Sequence, residues 1–126
     1  MDNNIGRRTD MNDSGMGANM ELIGHNLLIQ ITKELDHHNA VTIREKADQL
    51  IDKNKVDQII FDFENSEFMD SSGIGVIMGR YKKIIFTGGK VAVTNVNASI
   101  DRIFKLSGLY KIIDKYSTIE DALNLH

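Results

Sequence analysis

Phe68-Met69-Asp70-Ser71-Ser72-Gly73-Ile74-Gly75 is the stretch on which the reading of this chain turns. A polar segment, Asp62 to Glu67, ends in two apolar residues of a kind expected near the surface. An acid, two adjacent hydroxyls and two spaced glycines follow. Then Ile74, Ile77, Met78, Tyr81 and Ile84 recur at the spacing of one helix face. The stretch therefore reads as a helix start. Asp70 or Ser71 can serve as its N-cap, accepting a hydrogen bond from a free N–H of the first turn. A phosphate on Ser71 would sit where those N–H groups and the helix dipole favour negative charge. It would add roughly −1.5 to −2 charges at neutral pH. The fold would tolerate this, whereas a partner packed against the helix end would not. That is the arrangement of a binding switch. On the physics alone, an unmodified capped helix is the simpler account, because serine is common at N-caps.

Outward from this stretch, strands and helices alternate. Glu21–Ile23 and Leu27–Thr32 flank Gly24-His25-Asn26, a hairpin turn. Ala40, Ile43, Ala47, Leu50 and Ile51 mark a first helix that ends in Lys53-Asn54-Lys55. Gln58–Phe63 is a strong strand, and Val91–Thr94 a short buried one. Asn97 caps a third helix carrying Ile100, Ile103 and Phe104, and Gly108 stops it. Tyr110–Ile113 reads as a short strand. Ser117-Thr118-Ile119-Glu120 fits a capping box for a last helix with Ala122, Leu123 and Leu125. The alternation predicts an α/β fold with a mixed, mostly parallel sheet and covering helices. Residues 1–19 are rich in Asn, Asp, Gly and Met and read as a disordered N-terminal extension; residues 20–126 read as one domain.

The 126 residues suffice for one domain. A net charge of −3 gives no electrostatic case for nucleic acid or an anionic membrane. No apolar run approaches the ~20 residues of a membrane span. The chain has no cysteine, which excludes disulfides, thiolate catalysis and cysteine zinc sites. With no signal sequence visible, this points to the cytoplasm.

Catalytic and cofactor motifs fail on spacing. Gly73, Gly75 and Gly79 miss the G-x-G-x-x-G pattern by one residue, and no ribose-binding acid follows about 20 residues on. The glycines serve either close helix packing or a flat surface for a partner. A serine nucleophile elbow would need glycine where Met69 stands. His37 and His38 are adjacent and diverge, so they make a poor metal pair. No catalytic residue, cofactor or metal site is expected. Asp36 follows a strand of the parallel type, so its loop and that of Ser71 should share the edge where binding loops collect. Arg80, Lys82 and Lys83 form a small basic group, by default a solvated helix face.

Three blocks carry a family resemblance: Glu34-Leu35-Asp36-His37-His38, Phe68 to Ile77 with Gly79-Arg80-Tyr81-Lys82, and Arg102 to Ile113. They resemble the bacterial anti-sigma factor antagonists, which are single STAS domains, and most of all those acting in sporulation through sigma-F. The resemblance runs from Met20 to the C-terminus. It departs at Lys33, where the family usually has glycine, and in the N-terminal extension. It implies a regulator without catalysis. The unphosphorylated protein would bind an ATP-using anti-sigma factor that is also a serine kinase, and so free a sigma factor. Phosphorylation at Ser71 would abolish this, and a serine phosphatase would restore it. Asp36, Asp70, Ser72, Gly73, Ile74, Gly75 and Arg80 are the expected partner-binding residues, with Asp36 dispensable for folding. A STAS module of a transporter or stress complex, and a small nucleotide-binding enzyme, are the rival classes.

Overall fold

The computed structural model describes residues 10–11 and 15–124. Six strands lie side by side in chain order: β1 (Asp10–Met11), β2 (Ala18–Ile23), β3 (Asn26–Ile31), β4 (Gln58–Asp62), β5 (Lys90–Thr94) and β6 (Asp114–Tyr116). β1, β2 and β3 pair antiparallel, and β3 to β6 run parallel. Each parallel step is bridged by a crossover helix: α1 (His37–Lys53), α2 (Ser71–Ile84) and α3 (Ala98–Ser107). Strands that add always in one direction, with right-handed crossovers, must put all their helices on one face.

The side chains divide accordingly. Leu27, Ile29, Ile31, Ile59, Phe61, Val91 and Val93 share the main core with Ile43 and Ala47 of α1, Val76 and Ile77 of α2, and Ile100 and Phe104 of α3. The alternate residues Leu28, Ile60 and Ala92 form a smaller cluster on the other face with Ala122 of α4 (Ile119–Leu123). The period-2 alternation of each strand thus feeds two cores of unequal size. Phe104 stands edge-on to Phe63 and Tyr110, with centroids 5.7 and 5.5 Å away. Asp101, on the first turn of α3, accepts hydrogen bonds from Lys115 and Tyr110 and pairs with Lys105. Those donors, Lys115 foremost, hold its carboxyl well below the usual range.

Three sequence expectations need correction. The domain does not begin at Met20. Met16 and Ala18 are buried in the main core, Ala18 pairs with Ile31, and Asp10 and Met11 pair with β2. Small residues hid this start, because Gly17, Ala18 and Asn19 give no hydrophobic alternation to read. The rest of the expected extension lies outside the described residues. Tyr110–Ile113 is not a strand. Gly108 closes α3 at φ 77°, and a 3₁₀ turn follows over Leu109–Lys111. Leu109 and Ile113 are the buried pair, four residues apart, with the Ile113 N–H donating to the Leu109 carbonyl at 3.1 Å. Pairing starts only at Asp114. Finally, the cap of α4 is Thr118, whose hydroxyl accepts from the Asp121 N–H at 3.1 Å. Leu125 lies outside the described residues.

Candidate functional site

The C-terminal ends of the parallel strands carry two loops, and the backbone joins them. The Leu35 N–H donates to the Phe68 carbonyl and the Asp70 N–H to the Leu35 carbonyl, both at 3.1 Å. Leu35 and Met69 form an isolated parallel bridge, and both side chains are fully buried beneath the edge. Each loop ends as a helix cap. The Asp36 carboxylate accepts from the His38 N–H at 2.9 Å, and Asn39 reciprocates by accepting from the Asp36 N–H at 3.0 Å. The Asp70 carboxylate accepts from the Ser72 N–H at 2.7 Å. Asp70 is therefore the N-cap, and Ser71 the first residue of α2. His37 Nδ1 lies 3.9 Å from Asp70 Oδ2, so the two caps face each other.

The loop that presents Ser71 is pinned from both sides. The buried Ser66 hydroxyl donates to the Lys33 carbonyl at 2.8 Å, and the Asn97 side chain donates to the carbonyls of Ser66 and Glu67. The segment read as a bare polar connection is thus a braced platform. Of its two apolar residues, Phe68 is 49% exposed, whereas Met69 is core.

The expected site residues divide on this platform. Ser71 and Gly75 are exposed, and Asp36, Asp70, Ser72 and Ile74 are half-buried. All six belong to the two capped loops or the first turns of α2. Gly73 and Arg80 do not lie open. A Cβ on Gly73 would run into the Met69 side chain and press on Leu35, so this glycine lets α2 settle over the edge. A Cβ on Gly75 would meet no atom within 4 Å. Arg80 is only 4% exposed. Its Nε lies 2.8 Å from Asp48 Oδ1, and its Nη1 donates to the Val76 carbonyl at 3.2 Å. Burial pulls its guanidinium below the ordinary value, Asp48 opposes this, and the charge of Arg44 adds to the lowering. Arg80 thus ties α2 to α1. Sequence spacing missed it because an arginine on a helix is read as solvated unless its counter-charge is known, and Asp48 is 32 residues away.

Asp36 needs a correction too. As the N-cap of α1 it contributes to stability, and alanine there costs about 1 kcal/mol. Val41, 46% exposed, and Arg44 extend the surface along α1. Both lie off the helix's apolar stripe, and no sequence signal singles them out. Among the described residues no group of three or more His, Cys, Asp or Glu could hold a metal. Among them, too, no helix is long and apolar enough to cross a membrane.

The chain matches the STAS domain family over residues 18–122. It is 39% identical over 110 residues to an anti-sigma F factor antagonist of Paenibacillus polymyxa, covering 86% of this chain and 94% of that protein. The fold matches the anti-sigma factor antagonist SpoIIAA in its unphosphorylated form with a TM-score of 0.77 at 31% identity, over 85% of this chain and 93% of that one. It matches SpoIIAA of Bacillus in the phosphorylated form with a TM-score of 0.69 at 31% identity, over 85% and 96% of the two chains. The family match over residues 18–122, the 39% identity and the shared fold agree: this chain is a STAS domain protein, one of the anti-sigma factor antagonists.

Proposed function

We propose that the unphosphorylated protein binds an anti-sigma factor that is also an ATP-using serine kinase, and thereby releases a sporulation sigma factor. The kinase transfers phosphate to Ser71, which ends the binding. A serine phosphatase removes the phosphate and restores it. The protein itself catalyses nothing and works in the cytoplasm.

The observation that carries this reading is the position of Ser71. It is exposed on the first residue of α2, beside the Asp70 cap and the Asp36 loop. Phosphate there meets the favourable end of the helix dipole, so the fold need not rearrange to accept it. Yet it places about two charges next to the carboxylate of Asp70 and one residue from Ser72, which lines an open surface with Gly75 and Val41. A partner seated on that surface meets both bulk and charge. The relative solved in phosphorylated and unphosphorylated forms supports the same switch.

The test is displacement. Purified protein is titrated into a preformed complex of an anti-sigma F factor with its sigma factor, and free sigma is followed by gel filtration. Stoichiometric release is expected from the unphosphorylated protein. Release that is absent, or that is undiminished after phosphorylation, contradicts the proposal.

A further inference from the structure

The exposed surface continues from Ser71 into a groove between α1 and α2, with a volume of about 310 Å³. Val76 forms part of its floor, Gly75 leaves one wall without a side chain, and Val41 and His37 stand on the other. Arg44 closes the far end. Among the described residues the Arg44 side chain has neither an ion pair nor a hydrogen bond. Asp48, the acid one helical turn on, is taken by Arg80. No carboxylate lines the groove. In a chain of net charge −3 this is a place where positive charge is left uncompensated beside apolar surface.

We infer that this groove receives a segment of the anti-sigma factor that inserts an apolar side chain against Val41 and Val76 and sets a carboxylate on Arg44. The inference rests on the function proposed above and names the chemistry by which the partner is read. Arg44 offers a planar fork suited to a carboxylate. With Asp48 held by Arg80 and no carboxylate lining the groove, a partner anion supplies a counter-charge that no groove residue offers. The groove opens at Ser72, beside Ser71, so phosphate stands at its mouth and closes the same approach.

The test uses the full chain and a purified anti-sigma F factor, with binding followed by calorimetry at low and high salt. Arg44→Glu is expected to weaken binding by about tenfold or more, with a flattened salt dependence. Its thermal midpoint should hold, since the side chain is exposed. Lys82→Glu, a charge reversal outside the groove, is expected to bind as wild type. A lysine at one Asp or Glu of the anti-sigma factor should restore binding to Arg44→Glu. Wild-type affinity in Arg44→Glu, or an equal loss in Lys82→Glu, overturns the inference and leaves the proposed function standing. Self-association of the free chain that Arg44→Glu abolishes overturns it in favour of a second copy. Failure of the wild-type chain to bind any anti-sigma factor removes both.

Discussion

Gly73 and Gly75, two residues apart, have opposite duties. Gly73 faces inward, where a methyl group collides with Met69 and Leu35. Gly73→Ala should lower the urea unfolding midpoint by an amount equal to about 1–3 kcal/mol, the usual cost of overpacking. Gly75 faces open space, and alanine is the better helix former by ~1 kcal/mol. Gly75→Ala should therefore leave stability equal or higher, while Gly75→Glu should keep the fold and lose affinity for the partner. Equal destabilisation by the two alanine substitutions would contradict this division. The sequence presented both roles without assigning them, because G-x-G spacing on a helix puts the pair about 200° apart and does not say which side is the core. Arg80 shows the same limit. The residue type announced a charge, but only the fold brought Asp48 to it. Ser71 was nearer the opposite case: an acid, two hydroxyls and a helix stripe in immediate succession mark the helix start and narrow its cap to Asp70 or Ser71, and the Ser72 N–H settles it on Asp70.

At the scale of elements, the two capped loops act as one unit through Leu35 and Met69. Asp36 therefore has a structural task and a proposed binding task, and two substitutions separate them. Asp36→Ala should cost about 1 kcal/mol by urea unfolding and also weaken partner binding. Asp36→Asn caps about as well as aspartate, so its stability should match wild type while binding falls with the lost charge. Wild-type affinity in Asp36→Asn would leave Asp36 as a cap and nothing more. Helices α1, α2 and α3 were legible in the sequence from their apolar stripes, with a cap signal read for α2 and α3, whereas the Asp36 cap of α1 was not read. The Tyr110–Ile113 segment was not, since two isoleucines invite a strand while the φ of Gly108 and the burial of Leu109 and Ile113 set a turn.

Over the whole molecule, the alternation of strands and helices was sufficient for the mixed, mostly parallel sheet. The order of strands follows from short right-handed crossovers. What local pattern could not show was the start of the fold, where Met16 and Ala18 complete the core from a segment of small residues. Nor could it show the bracing of the Ser71 platform by Ser66 and Asn97, which rests on contacts 30 or more residues apart. The architecture that results is a braced loop platform that exposes Ser71 at the N-terminus of α2, and Ser71 alone is proposed to carry the switch. Ser72 is half-buried, its N–H is held by Asp70, and it is turned about 100° along the helix from Ser71. Phosphopeptide mapping by mass spectrometry, after incubation with an anti-sigma F factor and ATP, tests this most directly in wild type, Ser71→Ala and Ser72→Ala. The account predicts phosphate on Ser71 in wild type and in Ser72→Ala, and none in Ser71→Ala; phosphate on Ser72, or phosphate that persists in Ser71→Ala, would contradict it.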